Sequence, residues 1–227
     1  MDMKRITVLL AEDHTIVREG FRRMLELEND MEVVGEAQDG RQAVALVKKL
    51  HPAVVLMDIA MPQLNGLEAT RQILKAVPAT KVLILSAHSD DAYVNSAVES
   101  GAMGFLLKQT SSHVVCEAIR EVQKGKTYFS PSISRRRDRL NPQLPDRAGR
   151  LNKKAARLTS REMEVLQLIA EGKANKETAA ELGIGMKTVE KHREHLMQKL
   201  AIHDTAGLTR YAISAGIIES SVQLTIV

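Results

Sequence analysis

Five side chains in the first half of the chain are of types that could handle phosphorus: Glu12, Asp13, Asp58, Ser86 and Lys108. Asp58 ends the apolar run Val54–Met57 within "AVVLMDIAMPQLNG", and Pro62, Asn65 and Gly66 follow in a turn-rich segment. A carboxylate at such a place is a cap, a ligand or a reagent. Crowded carboxylates repel one another and are hard to keep ionised together. A divalent cation relieves this, and Mg²⁺ takes oxygen ligands while keeping several waters. Asp13 and Asp58 could ligate it directly, Glu12 through water, and the backbone carbonyl of Ala60 could add one more oxygen. Beside that cation Asp58 could attack phosphorus and form an acyl phosphate. The Lys108 ammonium would help neutralise the phosphoryl oxygens. Ser86 would donate a hydrogen bond to the product.

This chemistry requires elements that bring the five residues to one rim. The apolar pattern predicts strands at Thr7–Ala11, Glu32–Ala37, Val54–Asp58, Lys81–Ser86 and Gly104–Lys108. Between and after them it predicts helices at Thr15–Leu27, Gly40–Leu50, Leu67–Val77, Asp91–Ser100 and Ser112–Lys124, with Asp39 as an N-cap and Gly101 and Gly125 as stops. Five β–α repeats predict a doubly wound α/β fold on a five-stranded parallel sheet. Function in such sheets gathers outside the carboxyl ends of the strands. There the five residues would meet. His14 and His88 fall near the same rim, but no Cys or His spacing supports zinc.

Bulk properties agree with a soluble protein of two modest domains. The chain has 227 residues, 44% hydrophobic and 26% charged, with 3% aromatics and no Trp. No run approaches the ~20 apolar residues that span a bilayer, and "ITVLLA" is too short for a signal-peptide core. The single Cys116 excludes an intramolecular disulfide, suits a reducing cytoplasm and reads as a small apolar residue on a helix. Net charge is +4, concentrated in the middle. Residues 131–157 hold 9 Lys and Arg against 2 Asp and Glu; residues 1–130 hold 15 against 17, and residues 158–227 hold 8 against 9. The cationic, proline-containing stretch 130–155 is expected to be a linker between domains at 1–129 and 156–227. Its "RRRDR" is expected to approach a polyanion.

From Leu158 the pattern is wholly helical and predicts an all-α domain of four helices. "LTSREMEVLQLIAEG" starts with Thr159 or Ser160 as N-cap, and "NKETAAELG" with Asn175. "IGMKTVEKHREHLMQKL" and "TAGLTRYAISAG" complete the set. Two short helices around "LGIG" form a helix-turn-helix signature. An α-helix fits the major groove of B-DNA. Lys187, Thr188, His192, Arg193, His195 and Lys199 are candidates for phosphate contacts, as are Asn175 and Lys176 at the start of the preceding helix. On the last helix Leu208, Tyr211, Ala212 and Ala215 lie on one side. Part of that side must close the core, and the rest is expected to pair with a second copy.

The segments "LLAEDH", "VVLMDIAMPQLNGLEA", "LSAH" and "GFLLK" resemble a response-regulator receiver domain with a flavodoxin-like sheet, over residues 4–125. The resemblance implies Asp58 as phosphoacceptor, Glu12 and Asp13 as the acidic pocket, Ser86 and Lys108 as the switch hydroxyl and the lysine, and Phe105 as the rotating aromatic. It also implies Mg²⁺ as cofactor and a sensor histidine kinase as partner. Glu12 and Gln109 depart from the commonest pattern, which has Asp and Pro. Residues 156–221 resemble a LuxR-type helix-turn-helix domain, and the pairing is that of the NarL/FixJ transcriptional regulators. Thr178 replaces a common Ile there, and Gly185 a common Ser. Glu190, Lys191 and Glu194 take the base-reading positions by this resemblance. A homodimer on DNA, a cytoplasmic location and no enzymatic activity are expected. The rival is an adaptor working through protein contacts, with DNA binding lost.

Overall fold

The computed structural model describes residues 5–87, 89–130, 133 and 158–218. The chain divides into two compact units. Of the expected linker at 130–155, Ser130 and Ile133 are described, both buried, with Ile133 in a core cluster of the first unit; the rest of it, Arg135–Arg137 included, and His88 lie outside the described residues.

In the first unit strands β1 (Ile6–Ala11), β2 (Met31–Ala37), β3 (Val54–Asp58), β4 (Lys81–Ser86), β5 (Gly104–Leu107) and β6 (Tyr128–Phe129) form one sheet in the order β2-β1-β3-β4-β5-β6. Every neighbouring pair is parallel. Helices α1 (Thr15–Glu26), α2 (Gly40–Leu50), α3 (Gly66–Ala76), α4 (Asp91–Ser100) and α5 (Ser112–Gln123) connect the first five strands and return the chain to β6. The sheet has six strands where five were expected. Tyr128–Phe129 pairs with Gly104 and Phe105 after Gly125 turns the chain out of α5. Two residues are too few to display an alternating pattern, so β6 left no periodic signal.

Alternation along the central strands divides their side chains between two cores. Leu9, Ala11, Val55, Met57, Val82, Ile84 and Phe105 pack on one face with Val44 and Val47 of α2, Ile73 of α3 and Val94 of α4. Val8, Leu10, Val54, Leu56, Leu83, Leu85 and Leu106 pack on the other with Leu25 of α1 and Val115, Cys116, Ile119 and Val122 of α5. Caps fix where helices start. Asp39 Oδ1 accepts from the Gln42 amide at 2.8 Å, and Asn65 Oδ1 from the Glu68 amide at 3.0 Å.

The second unit contains α6 (Ser160–Ala170), α7 (Asn175–Leu182), α8 (Met186–Leu200) and α9 (Thr205–Ser214) around Val165, Leu166, Leu168, Val189, Leu196, Leu208 and Ala212. Thr159 caps α6 in a reciprocal box: its hydroxyl accepts from the Glu162 amide at 3.3 Å, and the Glu162 carboxylate accepts from the Thr159 amide at 2.8 Å. The N-cap of α7 is Ala174 rather than Asn175. Glu177 makes this possible by accepting the Ala174 amide at 2.8 Å, so a residue without a capping side chain suffices. Gly183 ends α7 at φ +62, a conformation that favours glycine, and three residues later α8 begins. Among the described residues no helix is long and apolar enough to cross a membrane.

Candidate functional site

The strand order reverses at β1, which lies between β2 and β3. Ligands of doubly wound sheets bind beyond the strand ends at this kind of switch point. The chain leaving β1 carries Glu12 and Asp13, β3 ends on Asp58, β4 on Ser86, and Lys108 follows β5. The Lys108 amide donates to the Ser86 carbonyl at 2.8 Å, which holds these last two strand ends together. The Lys108 ammonium lies 3.0 Å from Asp58 Oδ2 and 2.9 Å from Glu12 Oε2, and it donates to Glu12 Oε1 at 3.0 Å. Three separate strands thus deliver the acids and the amine to one point.

Glu12, Asp58 and Ser86 are each 2% exposed, so this is a pocket with charged walls rather than a surface patch. Burial, then the charge of Glu12, pushes the Asp58 carboxyl up to about 7, against the opposing pull of Lys108. Burial alone would lower Lys108, but Asp58 and Glu12 outweigh it and its affinity for the proton rises. One ligating atom from each of Glu12, Asp13, His14 and Asp58 falls within 4.8 Å of the others. Buried oxygens Glu12 Oε2 and Asp58 Oδ2 are close to Lys108 yet receive no well-aligned hydrogen bond. Hard oxygen donors with unfilled acceptor capacity suit a divalent cation such as Mg²⁺. Ala60 follows in the β3–α3 turn, half-buried.

Other residues hold the pocket in shape. Gly66 is required by close approach: a Cβ there would fall 1.8 Å from the Asp58 carbonyl oxygen. Its amide donates to the Ile59 carbonyl at 2.8 Å and folds the turn back over the strand end. The Ile59 amide donates to Asp58 Oδ1 at 2.8 Å and fixes the carboxylate plane. Arg18 was not anticipated. It is buried, donates to the Glu12 carbonyl at 2.7 Å and pairs with Glu36 at 3.0 Å, so β2 and α1 jointly brace the β1 end. Sequence offers no signal for it, because a lone Arg on an amphipathic helix reads as solvated. His14 was noted only in connection with zinc. Its ring lies 3.0 Å from Glu12 and 2.9 Å from Asp13, and these two acids, Glu12 first, raise its affinity for a proton. Phe105 is fully buried, packed among the α2–α4 face.

In the second unit Lys176, Lys187, Thr188, Glu190, Lys191, Glu194 and His195 are exposed, while Asn175, His192 and Arg193 are half-buried. The opposite side of α8 is anchored by Val189 and Leu196, both fully buried. Glu190, Arg193, Glu194, Met197, Gln198 and His203 line a cleft of about 420 Å³ beside α8. One expectation needs correction, and another is narrowed. Lys199 does not stand free for a phosphate, since its ammonium bonds the Glu162 carboxylate of the α6 capping box at 2.6 Å. Leu208 and Ala212 are fully buried and close the domain core, so they have no surface to offer a second copy. The helical period carries them inward together; Tyr211 is half-buried and Ala215 exposed.

Comparison with known proteins places both units. Residues 8–120 match the response regulator receiver domain, and residues 156–212 match the bacterial regulatory proteins of the luxR family. The chain is 39% identical over 212 residues to the transcriptional regulatory protein LiaR of Bacillus subtilis, covering 91% of this chain and 96% of that one. It is 38% identical over 211 residues to DegU of Brevibacillus brevis, covering 88% and 89%. The chain belongs to the response regulators. Among solved structures the RcsB response regulator of Salmonella typhimurium aligns at 29% identity with a TM-score of 0.61, over 94% of this chain and 99% of that one. An RcsB–DNA complex aligns at 28% identity with a TM-score of 0.56, over 93% and 99%. This response regulator is of the LuxR-type branch, a two-component regulator of transcription rather than an enzyme.

Proposed function

We propose that Asp58 is phosphorylated and that this governs DNA binding by the helical domain. The donor is a phosphohistidine on a partner sensor kinase. An Asp58 carboxylate oxygen bonds to phosphorus as the P–N bond of the donor breaks. The observation that carries this reading is the convergence at three strand ends that sets the Lys108 ammonium within 3.0 Å of both the Glu12 and the Asp58 carboxylates. Glu12, Asp13, Asp58 and the Ala60 carbonyl would hold Mg²⁺, which when bound supplies positive charge against the phosphoryl oxygens. Lys108 would add charge of the same sign beside Asp58. Ser86 hydrogen-bonds the phosphoryl group once it is on Asp58, and Phe105 follows that movement. A phosphoryl group brings close to two negative charges at neutral pH, enough to bias a two-state element.

Glu190, Lys191 and Glu194 read bases, with Lys donating to guanine O6 or N7 and Glu accepting from cytosine N4. Lys176, Lys187, Thr188, His192 and His195 approach phosphates. The segment 130–155 is the linker between receiver (1–129) and DNA-binding domain (156–227), and the protein acts in the cytoplasm. The protein dimerises on DNA, as symmetric readers of paired half-sites do, and of the expected contact residues Tyr211 of α9 and Ala215, just after it, are left for that contact. An RcsB structure is described as two dimers bound to two parallel DNAs, which favours this arrangement. Gel retardation on DNA from upstream of its own operon tests the reading. Acetyl phosphate with Mg²⁺ is expected to strengthen binding by at least several-fold in the wild type and not in Asp58→Asn. Equal binding with and without the phosphodonor would refute the switch.

A further inference from the structure

Arg193 is held in an unusual way for a cation on a DNA-facing helix. Its Nη1 donates to Asn175 Oδ1 at 3.3 Å and its Nη2 to Thr205 Oγ1 at 2.6 Å. Asn175 is the first residue of α7 and Thr205 the first residue of α9. One guanidinium therefore ties the middle of α8 to the starts of both flanking helices. Both partners are neutral, so among the described residues these bonds add no charge neutralisation; what they fix is direction. A guanidinium is planar with a rigid fork of donors, so two bonds from it set an orientation that a lysine could not reproduce.

The neighbours on α8 give this fork its consequence. Glu190, Lys191 and Glu194 lie three and two residues before Arg193 and one after it, all exposed. The hydrophobic anchors Val189 and Leu196, four residues before and three after Arg193, share its face and hold α8 onto the core away from the three exposed side chains, but they are apolar and non-directional. Apolar packing alone permits small rotations about the helix axis, and a displacement of ~1 Å is large on the scale of a directed contact.

We propose that Arg193 is a positioning residue for sequence reading: it fixes the rotation of α8 against α7 and α9, so that the exposed side chains beside it meet base edges, and it does not itself contact a phosphate. This rests on the reading that the domain binds DNA. A phosphate contact adds affinity for every sequence and contributes about 0.9 to the salt slope. A positioning residue changes discrimination and leaves the slope alone.

The test uses the full chain, a duplex selected from a random library by the wild type, and a random-sequence duplex of equal length. Affinities are measured over a range of salt, below the melting temperature of every variant. Arg193→Lys keeps the charge and loses the fork. The expected result is a tenfold or greater fall in affinity for the selected duplex, with unchanged affinity for the random duplex and an unchanged salt slope. Thr205→Val removes one partner of the fork; it is expected to lower the same ratio and to add little when combined with Arg193→Lys. A merely stabilising role would lower the melting temperature and leave the ratio untouched, and that result would overturn the inference. So would full retention of selected-duplex affinity in Arg193→Lys, the behaviour of a phosphate contact. Failure of the wild type to enrich any sequence would instead remove the DNA-binding reading and this inference with it.

Discussion

At Thr178 the side chain is fully buried, and its hydroxyl has no hydrogen-bond partner among the described residues. A buried donor left unmade costs roughly 1–3 kcal/mol, whereas an apolar replacement of the same shape loses nothing. Thr178→Val is therefore expected to stabilise the helical domain by about 1 kcal/mol, read as a higher midpoint in urea with an unchanged slope. The sequence marks this position only as a departure from a common Ile; burial explains the preference. Among the pocket residues, legibility followed the chemistry. Glu12, Asp13, Asp58 and Lys108 were readable because each follows an apolar strand and has a type suited to phosphorus. Arg18 was not, because its partner Glu36 lies on another strand and only the fold brings them together. Lys199 misled for the same reason: its pairing with Glu162 spans 37 residues.

Secondary-structure elements show how a short sequence feature becomes a geometric constraint. The α2, β3, β4 and α4 bounds agree with the sequence reading, since each is set by an apolar run or by a local stop such as Gly101 at φ +93. β6 escaped because a two-residue edge strand has no period, and the α7 cap escaped because Ala174 has no capping side chain and only its amide is held, by the Glu177 carboxylate three residues on. The turn between β3 and α3 is the tightest of these constraints. Gly66→Ala would drive a methyl group into the Asp58 carbonyl, and the receiver is expected to lose several kcal/mol, of the order of severe overpacking. Urea unfolding, with the helical domain as internal reference, checks it. Another link joins elements across the sheet edge: Arg120 of α5 donates to Asp30 at 2.7 Å and to Glu28 at 2.5 Å, ahead of β2. The Arg120 hydrogen bonds lower the Asp30 carboxyl below its ordinary 3.8. A depressed acid contributes stability above its unfolded value and loses it as pH falls through the folded one. Arg120→Ala should thus cost under about 1 kcal/mol at pH 7, because the pair is partly exposed, and the difference from wild type should shrink as pH falls below 3.8 and vanish once Asp30 is protonated in the folded state. Thermal melts across pH 2–7 provide the check; a difference that persists at the acid end would assign the loss to packing.

On the scale of the whole molecule, the two units carry different kinds of information. The receiver is a nearly complete reading of its sequence, since alternation of buried residues and strand-end acids determines both topology and pocket. The helical domain was legible in its element order but not in its interior pairings. Leu208 and Ala212 turned inward to the core, and the residues left for a second copy are fewer than the helical stripe suggested. Phosphorylation at one end and sequence reading at the other are linked in the proposal by a single covalent event on Asp58. The most direct test is therefore chemical. Purified protein is incubated with acetyl phosphate and Mg²⁺, its intact mass is recorded, and the modified peptide is mapped after reduction of the acyl phosphate with borohydride. One phosphoryl increment is expected, located at Asp58, absent without divalent cation and absent in Asp58→Asn. A phosphoryl increment that survives in Asp58→Asn, or maps to another residue of the wild type, would contradict the proposal.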